Sequence, residues 1–472
     1  MRSYGLRLAA ASAILAGAVL SVVVFSQAGA QTNAVLYEGA RLIPGDGSAP
    51  IEDGAFIVQN GRISAVGRRV SLSPPAGATR VNLTGKTVIP ALNNVHIHIG
   101  YEGYTSWSVN NHTPENVVDH LQREAFYGTG AAMTMGDQPP DWALTFQQDQ
   151  ASGKFPPAAR FFFAAGMAPP GGGPDSVLIQ GTTPLKAVYE ISTPAEARAA
   201  VKTISEKNIR QIKIWVDNRD AQRGGRQKMP PEVYSAIVDE GHKHGILIHA
   251  HATNLADQKA VVKAGVDVLV HTVSSEPIDD EFLAILKEKK PYWAPVMGLT
   301  DAPDVCTDTD RFVEQALPAS TVADIREGRN AFGLPGCTPS PDPATVRRIA
   351  NFHTNFSRMI QAGARLVLST DAGVIPKYSF GWAAHHEMEM YVRFGMSPAD
   401  VIVSSTSRPT EVLKISDTGA LVTGKRADFV VLNANPLENI RNTRQIDSVF
   451  LNGARLDRET LLRRWQAKTT AR

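Results

Sequence analysis

Only two cysteines, Cys306 and Cys337, occur among 472 residues. No CxxC pair is present, which excludes a thiolate metal site of the zinc-finger or zinc-ribbon kind. In an oxidising compartment the two would pair. The 30-residue loop between them would then add about 3 to 4 kcal/mol in the chain-entropy description. Two unpaired thiols are the other reading. An excess of charge is also lacking, with 48 Lys and Arg against 46 Asp and Glu. That balance gives no electrostatic reason to expect nucleic acid or an anionic membrane as partner. Beyond the first 30 residues no apolar run approaches the roughly 20 residues that span a bilayer. Repeats and low-complexity tracts are missing too, which excludes solenoids and disordered tails.

The first 30 residues are set apart. Arg2 and Arg7 form a basic head, Leu8 to Phe25 an apolar run, and Ala28-Gly29-Ala30 a small-residue end before Gln31. This is the pattern of a secretory signal peptide. An uncleaved anchor is the alternative, because the run of 18 residues is barely long enough to span. Cleavage would remove two Arg and no acid, leaving 46 basic residues against 46 acidic ones. The expectation is a secreted, periplasmic protein, free of the membrane after cleavage. A small molecule is the expected partner, and a homo-oligomer is left open.

The rest divides by strand pattern. Short strands are expected at Ala34–Tyr37, Gly54–Gln59, Arg62–Val66 and Thr87–Ile89, with Asn60-Gly61 as a hairpin turn. Similar strands return at Asp428–Leu432 and Ile446–Leu451, the latter followed by Asn452-Gly453. The two ends therefore read as halves of one small β-sandwich domain, 31–90 and 409–472. Between them, 91–408 alternates strand-like and helical segments. The strands are Thr87–Ile99, Ala131–Met135, Arg160–Ala165, Gln211–Val216, Leu247–His251, Val266–His271, Tyr292–Val296 and Leu366–Thr370. Amphipathic stretches such as Pro194–Lys207, Pro231–His244 and Ala256–Ala264 separate them. Eight such strands predict an α/β fold, a (β/α)8 TIM-type barrel, which carries its chemistry at strand C-termini.

Those strand ends hold unusual residues. His96 and His98 lie two apart on a strand and so face one side, as two imidazole ligands of one metal require; a pair of buried, hydrogen-bonded histidines would look the same. Lys213 sits inside an apolar strand, where an unpaired ammonium is costly. It reads as an ion-paired lysine, as a snorkelling rim residue, or as a lysine carboxylated by CO2. His251 and His271 each end an apolar strand, 20 residues apart. His249 shares a face with His251 but lies one layer deeper, as a core residue or one supporting the ligands, with ligation the lesser reading. Asp371 also ends a strand, before Ala372-Gly373, where it can bind metal and move a proton or merely cap a helix. Five strand ends thus offer His-x-His, Lys, His, His and Asp in order.

In that order the sequence resembles the amidohydrolase superfamily, particularly its imidazolonepropionase-like and prolidase-like members. Pro90-Ala91-Leu92-Asn93-Asn94-Val95-His96-Ile97-His98 is similar to the family's P-G-L-I-D-x-H-x-H. Gln211-Ile212-Lys213-Ile214 is similar to its fourth-strand lysine motif, and His251 through His271 to its fifth- and sixth-strand ligands. Ser369-Thr370-Asp371-Ala372-Gly373 resembles G-T-D-x-G, and Gly424-Lys425-Arg426-Ala427-Asp428 resembles G-K-x-A-D. The departures are Ala91 and Ser369 for glycines, Asn94 for an acid, and Trp215-Val216-Asp217-Asn218-Arg219 for a Gly-rich segment.

The resemblance implies metal-dependent hydrolysis of an amide (C–N) bond, as in a dipeptide, an N-acyl amino acid or an aryl amide. It implies two divalent ions, zinc by default, with Mn, Co or Fe also suited to the ligands. His96, His98 and Asp371 would hold one ion, His251 and His271 the other, and carboxylated Lys213 would bridge them. Asp371 would be the catalytic base and then the acid. His385, His386 and Glu387 are candidates to orient the ligands, with a surface helix as the alternative; Arg219 and Lys377 are candidates to meet a substrate carboxylate. An ester or lactone hydrolase on the same site is the second reading, and a non-catalytic binding protein on a decayed barrel the third.

Overall fold

In the computed structural model the described residues are 34–103, 106–171, 173, 186–216, 227–298, 311–316, 342–374 and 380–470. Residues 1–30, Cys306, Cys337, Arg219 and Lys377 lie outside them. The chain begins with β1 (Val35–Leu42), β2 (Ile51–Gln59), β3 (Arg62–Arg68), β4 (Thr79–Asn82) and β5 (Thr87–Pro90). Asn60 and Gly61 have φ of 52° and 73°, the left-handed pair that a tight hairpin between twisted strands needs. They join β2 to β3, with Gln59 opposite Arg62.

The middle follows as β6 (Leu92–Ile97), α1 (Pro114–Phe126), β7 (Thr129–Met135), α2 (Pro140–Ala151), β8 (Arg160–Ala168), β9 (Val188–Glu190), α3 (Pro194–Glu206), β10 (Gln211–Trp215) and α4 (Pro231–Lys243). Next come β11 (Leu247–His251), α5 (Leu255–Ala264), β12 (Val268–Val270), α6 (Asp280–Lys289), β13 (Tyr292–Ala294), α7 (Pro343–Gln361), β14 (Arg365–Leu366), α8 (Trp382–Arg393), α9 (Pro398–Ser405) and α10 (Arg408–Val412). Helix starts are encoded locally. Thr193 and Glu196 form a reciprocal capping box on α3 with proline at its start, and Asn254, Asp279 and Asp342 cap α5, α6 and α7. Each cap satisfies backbone N–H groups that a helix start leaves unbonded.

The middle strands form one parallel sheet in the order β14-β13-β12-β11-β10-β8-β7-β6, with β9 beside β8. The sheet curls. The segment after β14 returns to β6 through Val95 N to Leu368 O (2.9 Å), Asp371 N to His96 O (2.9 Å) and His98 N to Ala372 O (2.7 Å). Parallel strands need crossover connections, and the helices between them supply the outer layer. The largest apolar cluster packs helix faces such as Val117, Leu121, Val233 and Ile237 against strand residues Ile212, Ile214 and Ile248.

The chain closes with β15 (Phe429–Leu432), β16 (Ile446–Leu451), β17 (Ala454–Arg455) and α11 (Arg458–Thr470). Both ends share a second sheet, ordered β17-β16-β15-β5-β1-β2-β3 with β4 also on β1. It is one curled sheet rather than two stacked ones, so the expected sandwich is met only in part. β1 forks: its first half pairs with β4 and its last two residues with β5. The curl brings Phe56 of β2 within 5.0 Å of Phe429 of β15, ring centre to ring centre, and Tyr37 of β1 within 5.4 Å of Phe450 of β16. The run Thr87–Ile99, read as one strand, splits at Ala91: β5 serves the small sheet and β6 the parallel one.

Candidate active site

His96 lies on β6, and His98 immediately follows it. Their Nε2 atoms are 3.2 Å apart, and each faces Asp371 Oδ1, at 3.0 Å from His96 and 2.9 Å from His98. Both imidazoles are fully buried and Asp371 is 3% exposed, so water does not offset their polarity. Burial holds His96 down to about 4, with Lys213 adding to the effect and Asp371 opposing it. Burial also opposes charge on His98, but hydrogen bonds to Asp137 and Asp371 outweigh it and lift His98 to about 10. Burial pushes Asp371 up, yet the two histidines hold it well below the usual carboxylate range. These three groups bring two imidazole nitrogens and one carboxylate oxygen together. Their donor atoms lie within 4.8 Å of one another, a spacing that could hold a metal ion.

The other half of the cluster faces it. Lys213 is 0% exposed on β10, its Nζ 5.4 Å from the centre of the Trp215 ring. Its charge bears on both His96 and His249. Register pairs Lys213 with His249 and Trp215 with His251 on β11. His271 Nε2 lies 2.9 Å from His251 Nδ1, and the His271 ring centre is 5.7 Å from that of His96. The two halves thus face each other at or just past the C-terminal ends of β6, β11, β12 and β14, with Lys213 at the middle of β10, and all six predicted positions are buried. His249 sits a layer below, its Nε2 2.8 Å from Gln211 Oε1, as its place in the strand predicts.

Backbone strain marks the same place. His271, Val296 and Asp371 have φ of 72°, 53° and 61°. Side-chain-bearing residues rarely adopt such values, and a β-branched one least of all. Strain of this kind costs about 1 to 3 kcal/mol per residue and persists where surrounding contacts over-determine it. Here Glu387 supplies contacts: its two carboxylate oxygens accept from Met297 N (2.9 Å) and Gly298 N (2.6 Å). Burial raises Glu387 to about 7 against those hydrogen bonds. Gly373 is required by proximity, because a Cβ there would lie 1.9 Å from His98 O.

Several contributors were not legible in the sequence. Asp137, just past β7, places Oδ2 3.3 Å from His98 Nδ1. Asn94 donates from Nδ2 to Thr370 Oγ1 (2.9 Å) and accepts from His96 N (3.2 Å). An amide thus ties the histidine strand to the segment that carries Asp371. Of the two readings for α8, the surface helix is set aside: His385, His386 and Glu387 are buried. His385 spends its ring nitrogens on Thr443 Oγ1 (2.9 Å) and Tyr127 O (2.8 Å), pinning α8 to its neighbours. Glu387 supports the turn after β13.

A curled parallel sheet with a buried histidine–carboxylate cluster at its strand ends is the arrangement in which enzymes of the parallel-barrel kind carry their chemistry. The chain belongs to the amidohydrolase family: the model for "Amidohydrolase family" matches residues 87–456. It is an enzyme acting on carbon–nitrogen bonds. Among curated relatives, ochratoxinase of Aspergillus niger is 24% identical over 442 residues, covering 86% of this chain and 82% of the relative. Among solved structures, molinate hydrolase superposes with a TM-score of 0.71 at 21% identity, over 91% of this chain and 96% of the other. A Xaa-Pro dipeptidase with bound methionine gives 0.70 at 21% identity, over 90% and 99%. At these identities the likeness to solved structures speaks to the fold.

Proposed function

We propose that this protein is a two-metal amide hydrolase acting on a small molecule: a dipeptide, an N-acyl amino acid or an aryl amide. The carrying observation is the convergence of His96 Nε2, His98 Nε2 and Asp371 Oδ1 in a buried centre, with His251 and His271 adjoining. Two imidazole nitrogens aimed at one carboxylate oxygen, away from water, suit a divalent cation. In this reading His96, His98 and Asp371 hold one ion and His251 and His271 the other, zinc by default. Lys213 would serve both ions once its neutral amine had added CO2 and lost a proton; the resulting carbamate would offer two oxygens sharing one negative charge, whereas an ammonium has no lone pair to offer. The parallel sheet is then a (β/α)8 barrel, with 31–90 and 409–472 as one small domain. Residues 1–30 direct export to the periplasm.

Bound divalent ions supply Lewis acidity, bringing the pKa of water to about 7 in the case of zinc. The chain's own residues do the rest. Asp371, held ionised, takes the proton of the attacking water and delivers it to the departing nitrogen. Asn94 and Thr370 keep the Asp371 turn against the histidine strand.

The deciding experiment is a hydrolysis screen of dipeptides, N-acyl amino acids and aryl amides, each matched by its ester, with the metal-loaded protein. Turnover of at least one amide is expected. Turnover of esters alone overturns the proposal.

A further inference from the structure

We infer that Asp137 is a positioning residue: it holds the His98 ring so that Nε2, rather than Nδ1, faces Asp371 and the ion centre. This rests on the reading that His96, His98 and Asp371 hold a metal ion.

Asp137 is fully buried. Its Oδ2 lies 3.3 Å from His98 Nδ1, while the opposite nitrogen of the same ring faces Asp371 at 2.9 Å. A ring so gripped on Nδ1 carries its proton there and leaves the Nε2 lone pair for a cation. Carboxylate partners of ligating histidines set tautomer and orientation in this way. Asp137 is itself gripped. Thr134 donates its hydroxyl to Asp137 Oδ1, and Tyr101 donates its hydroxyl to the Asp137 backbone carbonyl. The turn that delivers it is tight: Gly136 has φ of 79°, and a Cβ there would lie 2.5 Å from the Trp215 ring and 3.2 Å from Lys213 Cβ. One short turn thus packs against the bridging lysine and carries the carboxylate that orients a histidine.

His96 has no equivalent. Its Nδ1 is buried with no hydrogen-bond partner among the described residues; its place is set through the backbone, by Asn94. The two histidines of one motif are therefore held by different means: both face Asp371 through Nε2, and among the described residues only His98 has a second carboxylate, at Nδ1.

The test is metal affinity. Metal-free protein is titrated with Zn2+ against a chromophoric chelator, and with Co2+ while its visible spectrum is followed. Asp137→Asn keeps the shape and removes the charge. It is expected to weaken one ion by about 10- to 100-fold and to shift the corresponding Co2+ bands. The second ion and the melting temperature of the metal-free protein should be unchanged. Thr134→Val, which removes only the hydroxyl gripping Asp137, should weaken the same ion by a smaller factor. Wild-type affinities in both variants overturn the inference while leaving the metal reading intact. Wild-type protein that takes up no ion overturns the metal reading, and this inference with it. Should Asp137→Asn fail to fold, Thr134→Val decides alone: an unchanged affinity overturns the role.

Discussion

The two halves of the site are built differently. The half on β6 and the segment after β14 has its groups already in place. His96, His98 and Asp371 converge to 2.9–3.2 Å, and Asp137 and Asn94 fix them from behind. The half on β10 to β12 offers two imidazoles with ring nitrogens 2.9 Å apart and a lysine, which in the proposed reading would be carboxylated before it could serve. On the proposed reading, one ion site is preorganised by folding alone, while the other would wait on a modification of Lys213.

The largest effect should come from breaking the preorganised half. Asp371→Asn is expected to lower kcat by about 10²- to 10⁴-fold, the usual range for losing a general base and acid; full activity with metals retained would remove Asp371 from proton transfer. Lys213→Ala should break the other half, reducing metal content from two ions per chain to about one. Elemental analysis reads this, and an unchanged content of two would end the bridging role. A subtler effect sharpens the contrast: bicarbonate added during reconstitution should speed recovery of activity in wild type by acting on the Lys213 half only. The wild-type mass should then carry a labile addition equal to one CO2.

The smallest effect serves as a control away from both halves. Burial opposes charge on Asp119, but the Arg123 guanidinium at 3.1 Å and the Trp465 N–H at 2.9 Å hold its carboxyl down to about 2. A depressed folded pKa adds stability that is present above the unfolded value and lost as pH falls through the folded one. Here that window runs from near 4 down to near 2 and involves about 2 kcal/mol. Asp119→Asn should lose that amount in denaturant melts at pH 7 and show less acid dependence below pH 4, with metal content unchanged.

What the sequence made legible follows its periodicities. Asn60-Gly61 and Asn452-Gly453 announce turns because few other dipeptides accept two left-handed residues, and both pairs adopt positive φ. His96 and His98 were readable because strands alternate faces. The split at Ala91 was not, because β5 and β6 are both buried and read as one apolar run. Asp137 gave no signal, since a single aspartate after Met135-Gly136 looks like any turn residue. Its role depends on Thr134, Tyr101 and His98 meeting in space. The strain at His271, Val296 and Asp371 was equally silent, because backbone angles at non-glycine residues leave no compositional trace.

The pairing of Pro90 with Phe429 has a consequence for how the molecule is made. During synthesis β5 emerges early, and its partner β15 near the end. Until then β5 offers an open strand edge, the kind of surface that invites association with other chains. The strands of the parallel sheet are complete before β15 exists. The small sheet therefore cannot be completed before the last strands are made, and a chain cut short before Phe429 would leave that edge exposed for good.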